Sequence, residues 1–228
     1  MPLVAPVVSW ASGEQTHGAT YTSDLIVKNN CKYTSWEDLK GSVFAYNDDV
    51  SLSGYVSLKI WMHENKPAHA RIPYFSKSYA TGSHFNSICA VAAGTADCAV
   101  IDRITREAIE RENPHMKSKY RILKDVIIGD MPAQPICIRK QIDKVTRNKI
   151  LDAFLRTDCS TSKEMKKLSF VKYEAVNHDF YVNLANRISN SEYVVLSNLK
   201  RPRQRSGGNK TDGKPSPCRN TCKRTKKT

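Results

Sequence analysis

Phe44-Ala45-Tyr46-Asn47-Asp48-Asp49-Val50-Ser51-Leu52-Ser53-Gly54-Tyr55 joins three kinds of local structure in twelve residues. The apolar run Ser42-Val43-Phe44-Ala45-Tyr46 predicts a short buried strand. Asn47, Asp48 and Asp49 are turn formers that end it. From Ser51 onward the spacing turns helical, with Tyr55, Leu58, Trp61 and Met62 on one face. A strand, a polar turn and a Ser/Gly-rich helix start together suit an anion. The first amides of a helix lack internal partners, and the helix dipole places partial positive charge there. Ser51 and Ser53 add hydroxyl donors, and Gly54 allows an oxyanion close to the backbone. The same serines also fit ordinary N-caps, for which serine is a preferred residue.

A second stretch repeats the pattern. Thr81-Gly82-Ser83-His84 precedes an apolar helix, residues 83–93, that Gly94 ends. Residues 98–101 then predict another buried strand, with Asp102 at its C-terminal end. In open α/β sheets ligands sit beyond the carboxyl ends of the strands, which is where both turns and Asp102 would lie. His84 is either structural or a ligand to the oxyanion. Neutral imidazole donates one hydrogen bond, and the protonated form donates two and adds charge.

Outward from this centre, strands are predicted at residues 21–27, 74–80, 120–128 and 136–139, with a turn-rich crossing at 129–135. Helices are predicted at 35–39, 53–64, 103–111, 146–156 and 173–188. Ser35 is the expected cap of the first, and Asp38 makes a near capping box. Residues 1–20 read as a lead-in with one extended segment at most. This alternation argues a parallel or mixed α/β sheet.

The 228 residues carry a formal charge of +14, unevenly placed. Residues 200–228 hold eleven Lys/Arg and one acid, Asp212, a net +10. The remaining 25 basic and 21 acidic residues leave +4 for residues 1–199. No run approaches the roughly 20 apolar residues of a membrane helix. The start of the chain lacks the basic n-region of a secretory signal. Seven cysteines, without a repeated C-x-x-C, imply no disulfide framework; Cys89 and Cys98 read as small core residues. Cys218 and Cys222 are a poor zinc half-site, and no metal or cofactor is expected.

Tyr21-Thr22-Ser23-Asp24-Leu25-Ile26-Val27, Trp36-Glu37-Asp38-Leu39-Lys40-Gly41, Asn47-Asp48 with Ser51-Leu52-Ser53-Gly54-Tyr55, Gly82-Ser83-His84 with Ser87, Ala92-Ala93-Gly94-Thr95-Ala96-Asp97, and Ile101-Asp102 follow one another in that order. The series resembles the phosphonate-binding family of ABC-transporter substrate-binding proteins, which also takes phosphate and phosphite. The resemblance is clearest over residues 21–135 and fades towards residue 193. It implies an α/β, periplasmic-binding-protein-like (type 2) fold: one complete lobe with a mixed sheet flanked by helices, plus a partial second lobe. Expected divisions are a lead-in at 1–20, a ligand-binding α/β lobe with hinge strands at 21–135, a helical remainder of the first lobe at 136–199 and a disordered basic tail at 200–228. The family implies a non-catalytic binder of a small phosphorus oxyanion, with a transporter permease as partner. Ser51, Ser53, Gly54, Ser83 and His84 would surround the phosphonyl oxygens. Tyr21 would line the site, and Asp102 would meet a cationic substituent. Two departures stand out. Only about twenty residues precede Tyr21, where the family places a strand-helix-strand section, and Leu52 stands where a hydroxyl is frequent. The family is usually exported, and no export address is visible in this chain.

The sequence gives weaker support to two other function classes. An enzyme needs a nucleophile with its base, or a metal set. His84 and Cys89 lie five apart and share no helix face, and no H-E-x-x-H occurs. The basic tail suits a phosphate backbone, making nucleic acid the alternative partner. Without aromatics it equally suits a solvated tail or a localisation signal.

Overall fold

The computed structural model describes residues 1–10, 18–159 and 162–197. In chain order the elements are β1 (Pro2–Val8), β2 (Thr20–Lys28), β3 (Val43–Tyr46), α1 (Ser57–Asn65), β4 (Lys77–Ala80), α2 (His84–Ala93), β5 (Cys98–Asp102) and α3 (Arg103–Glu112). They continue with β6 (Tyr120–Pro132), β7 (Ile136–Cys137), α4 (Lys144–Leu155), α5 (Lys163–Lys167), β8 (Phe170–Ala175) and α6 (His178–Ser191). One wide helical turn, Leu52–Val56, leads directly into α1.

β2 to β6 form a mixed five-stranded sheet in the order β4-β3-β5-β2-β6. β3 runs parallel to β4 and β5, whereas β2 is antiparallel to β5 and β6. The central strands are buried on both faces, as parallel strands between covering layers must be. Phe44, Tyr46 and Val100 point into a large aromatic core, and Ala45, Ala99 and Ile101 pack with Ile88 and Val91 of α2. Trp36 anchors the aromatic core. It stacks on Tyr74 at 4.3 Å between ring centres and meets Trp61 edge-on at 4.8 Å. Its carbonyl accepts the Tyr74 hydroxyl at 2.6 Å.

β1 is the middle of a second, three-stranded antiparallel sheet, β7-β1-β8. Leu3 and Val4 share a small core with Cys159 and Tyr173, while Ala5 and Val8 join the large core. The chain start is therefore a central strand. Residues 168–172, indeterminate in sequence, and Tyr173, expected in a helix, belong mostly to β8, where Pro6 pairs with Tyr173. The helix starts later because Asn177 caps it, its Oδ1 accepting the Phe180 amide at 3.0 Å. The region 136–199 thus contributes two strands as well as helices. β6 likewise runs through the expected crossing as far as Pro132. As an edge strand it tolerates proline, whose missing donor need not face a neighbour. Tyr74 and Phe75 plug the core and precede β4. Asp38 does reach back to the Thr34 and Ser35 amides, at 2.7 and 3.0 Å, but Ser35 supplies no cap.

No described helix is long and apolar enough to cross a membrane. The basic segment 200–228, with Cys218 and Cys222, lies outside the described residues.

α3 is fastened to the sheet by a buried charge cluster. The Arg106 guanidinium donates to Asp24 Oδ2 at 2.6 Å and to Glu110 Oε1 at 2.7 Å, with Glu107 Oε1 at 3.5 Å. Tyr120 donates its hydroxyl to the same Glu110 oxygen at 2.6 Å. Removing Arg106 leaves the largely buried Asp24 and Glu110 carboxylates without their cation, while Glu107 keeps Arg103, a loss of about 3 kcal/mol. Arg106→Ala should therefore lower the urea-unfolding free energy by about that amount, and a change below about 1 kcal/mol would show that the cluster carries little net stability.

Candidate functional site

Three parallel strands end at the same edge of the sheet. β3 runs out at Asn47, β4 at Thr81 and β5 at Asp102. Two backbone bonds join the first two ends: the Thr81 amide donates to the Tyr46 carbonyl at 2.8 Å, and the Gly82 amide to the Asn47 carbonyl at 2.9 Å. Gly82 has φ +84°, a left-handed conformation that glycine adopts without a Cβ penalty. This turn aims the start of α2 at the start of the helix after β3.

That first helix begins unusually. The Val56 amide reaches the Ser51 carbonyl at 3.0 Å, an i→i+5 bond, so the opening turn is wider than an α-turn. Ser51 caps it, its Oγ accepting the Gly54 amide at 3.2 Å. The hydroxyl proton of Ser51 is not used in this bond and remains available as a donor. Ser53 Oγ lies 3.0 Å from Nε2 of His84, across the seam between the two helix starts.

These residues line a cleft of about 410 Å³ between the two sheets. One wall carries Asn47, Ser51, Ser53 and His84; Tyr21, Asp102 and Thr105 continue it. Pro6, Val8 and Phe170 of the three-stranded sheet close the apolar side, and Gln134 stands at the crossing after β6. A groove of about 520 Å³ around Arg106, Lys117, Arg121 and Lys124 is larger. Volume alone does not mark the site. Convergence of small polar groups at strand ends does. Two polar atoms at this wall, Asn47 Oδ1 and His84 Nδ1, are buried without a hydrogen-bond partner. Among the described residues no group of three His, Cys, Asp or Glu side chains is arranged to hold a metal ion.

Of the residues singled out in the sequence, Tyr21, Ser51, Ser53, His84 and Asp102 line the cleft together. Gly54 and Ser83 are not among its lining residues. The Ser83 hydroxyl accepts the Asn86 amide at 3.0 Å and caps α2. Gly54 is buried behind the wall, where a Cβ would stand 1.8 Å from Asn47 Oδ1 and 3.2 Å from His84 Cε1. Its lack of a side chain makes room for two cleft residues. Asp102 does two things at once: it faces the cleft, and its Oδ1 caps α3 by accepting the Thr105 amide at 2.7 Å. Asn47 and Thr105 were missed as wall residues. The signal for Asn47 was its place directly after a parallel strand; Thr105 offered none.

Burial governs the ionisation of the wall. It pushes the His84 imidazole below its ordinary pKa, and the nearby Asp102 carboxylate only partly opposes this. Burial raises Asp102, while the Thr105 amide and His84 pull it back. Tyr21 is raised by burial and by Asp102.

The model of the family described as "ABC transporter, phosphonate, periplasmic substrate-binding protein" matches residues 2–181. The chain belongs to this family. A binding protein component of an ABC phosphonate transporter from Pseudomonas aeruginosa superposes with a TM-score of 0.60 at 22% identity, over 82% of this chain and 60% of that one. PhnD1 from Prochlorococcus marinus, solved with methylphosphonate, gives 0.61 at 16% identity, over 83% of this chain and 72% of that one. A Xanthomonas citri protein bound to ATP gives 0.58 at 14% identity, over 83% and 71% of the two chains. The fold of this family member is thereby the periplasmic-binding-protein fold, and the chain spans 60% of the length of the Pseudomonas protein. A search of curated proteins finds no match.

The packing behind the wall gives a direct test. Gly54→Ala forces Asn47 aside, and such overpacking typically costs about 1–3 kcal/mol. Gly129→Ala is the control, because its Cβ would meet only Thr22 Cγ2 at 3.8 Å. Urea unfolding should show a loss for Gly54→Ala well beyond that for Gly129→Ala, and the Asn47 side-chain amide resonances should move only in the former. Equal losses would mean that Gly54 is not shaping the wall.

Proposed function

We propose that the cleft binds a small phosphorus oxyanion, a phosphonate, phosphate or phosphite, leaves it chemically unchanged, and presents it to an ABC-transporter permease. The observation that carries this reading is the convergence of Ser51, Ser53 and His84 at two facing helix starts, inside one cleft. Helix starts supply oriented amides and partial positive charge without mobile cations.

The chemistry of each donor follows from its partners. Ser51 Oγ accepts the Gly54 amide, so its own proton can go to a ligand oxygen. Neutral His84 has two tautomers. With the proton on Nε2, it donates to Ser53 Oγ and frees the Ser53 proton for the anion. Nδ1 is then a bare acceptor, which suits its lack of a partner better than a buried N–H would. A chain from imidazole through hydroxyl to oxyanion strengthens each link in turn. Tyr21 offers a neutral phenol, and Asp102 faces whatever substituent the phosphorus carries.

The Ser53–His84 pair has the spacing of a nucleophile and its base, yet the arrangement favours binding. A hydrolytic triad needs a third group that orients the imidazole through Nδ1. Here Nδ1 has no partner, and Asp102 spends an oxygen on the Thr105 amide. The alternative of nucleic acid held by residues 200–228 concerns residues outside the described ones and plays no part in this reading.

Calorimetric titration with methylphosphonate, phosphate and phosphite tests the proposal. The double substitution Ser51→Ala, Ser53→Ala should weaken every ligand while leaving the fold intact. Each lost hydrogen bond to a charged group is worth roughly 1.5–3 kcal/mol, so the double variant should lose at least about a hundredfold in affinity. Unchanged affinity in that variant would move the site elsewhere.

A further inference from the structure

The cleft that this proposal assigns to an oxyanion has an odd charge inventory. Among the described residues that line it there is no lysine and no arginine, and the one carboxylate is Asp102. Each titratable group near Asp102 adds to the same picture. Across the sheet from β2 comes Tyr21, a neutral phenol. From α2 comes His84, kept neutral by burial. On α3 the nearest cation is Arg103, and it is committed elsewhere: its Nε donates to Glu107 Oε1 at 3.1 Å, and its guanidinium lies over the Trp10 ring at 4.4 Å. The next, Arg106, is taken up by Asp24 and Glu110. Glu107, the acid beside them, faces these guanidiniums.

Asp102 itself retains acceptor capacity. Its Oδ1 takes the Thr105 amide, and a carboxylate offers about four lone-pair sites. A fully ionised phosphonate would bring two negative charges to a wall of neutral donors that already holds a carboxylate. In a partly desolvated cleft, like charges repel strongly, and among the described lining residues no side-chain cation compensates. One hydrogen between the two oxygens reverses this, because a P–OH donating to a carboxylate is a short, charge-assisted bond.

We infer that Asp102 selects the protonation state of the ligand: a phosphorus oxyanion without a cationic substituent binds as its monoanion, with a P–OH donating to Asp102. The inference rests on the function proposed above and adds a rule about charge. The helix starts and hydroxyls recognise the oxyanion oxygens, and Asp102 demands that one of the ligand's oxygens keep its proton.

The test is methylphosphonate binding to the full chain, followed by calorimetry in buffers of different ionisation enthalpy, at pH values below and above the ligand's second ionisation. Above that ionisation, binding should take up close to one proton per ligand, and affinity should fall about tenfold per pH unit. Asp102→Asn is the informative variant. Its Oδ1 can still cap α3, since asparagine caps as well as aspartate. Its amide can donate to an ionised oxygen. The variant should therefore take up no proton and show a flat profile over the same range. A flat wild-type profile without proton uptake would overturn this inference while leaving the oxyanion site standing. Uptake that persists unchanged in Asp102→Asn would overturn it too, since the proton would then reside on another group such as His84. Failure of the wild-type chain to bind at any pH would overturn both this inference and the proposed function.

Discussion

Two backbone hydrogen bonds hold the candidate site together. By donating the Thr81 and Gly82 amides to the Tyr46 and Asn47 carbonyls, the chain brings the end of β4 alongside the end of β3. The meeting of the two helix starts follows from that seam. It sets the start of α2 against the start of the helix before α1, which lets Ser53 reach His84. The seam needs a left-handed residue at position 82, and the close packing behind it needs a residue without a side chain at position 54. Two glycines thus fix a geometry whose visible chemistry belongs to other residues.

The second sheet supplies what the strand ends lack. Pro6, Val8 and Phe170 give the cleft an apolar side, facing the hydroxyls and imidazole across it. A small ligand with one oxyanion end and one carbon substituent matches such a division. The same burial that makes the wall neutral makes Asp102, the one carboxylate among its described residues, consequential. Asp102 cannot be moved to another orientation without uncapping α3, so the negative charge at the cleft is built into the fold.

Much of this was legible in the sequence because it is local. The run from Val43 to Tyr55 carries its own strand, turn and helix start, and Gly82-Ser83-His84 announces the second turn. Their order along the chain already resembled the family that the match over residues 2–181 establishes. What stayed hidden was non-local or directional. β1 and β8 pair across most of the chain length, so neither was recognisable from its own pattern, and the strand at Tyr173 looked like the beginning of α6. Ser51 and Ser83 are equivalent as sequence, both being serines before a helix. Only the fold turns Ser51 towards the cleft and leaves Ser83 outside its lining. The Ser53–His84 pair, 31 residues apart, has no sequence signature at all.

In the proposed binding mode the two helix starts at the β3 and β4 ends hold the ligand. Backbone amide resonances report this most directly. With isotope-labelled protein and methylphosphonate added to saturation, the largest shifts should fall at the amides of residues 51–55 and 83–86, together with the His84 ring signals. Saturable binding whose shifts cluster instead in the basic groove around Lys117, Arg121 and Lys124 would contradict it.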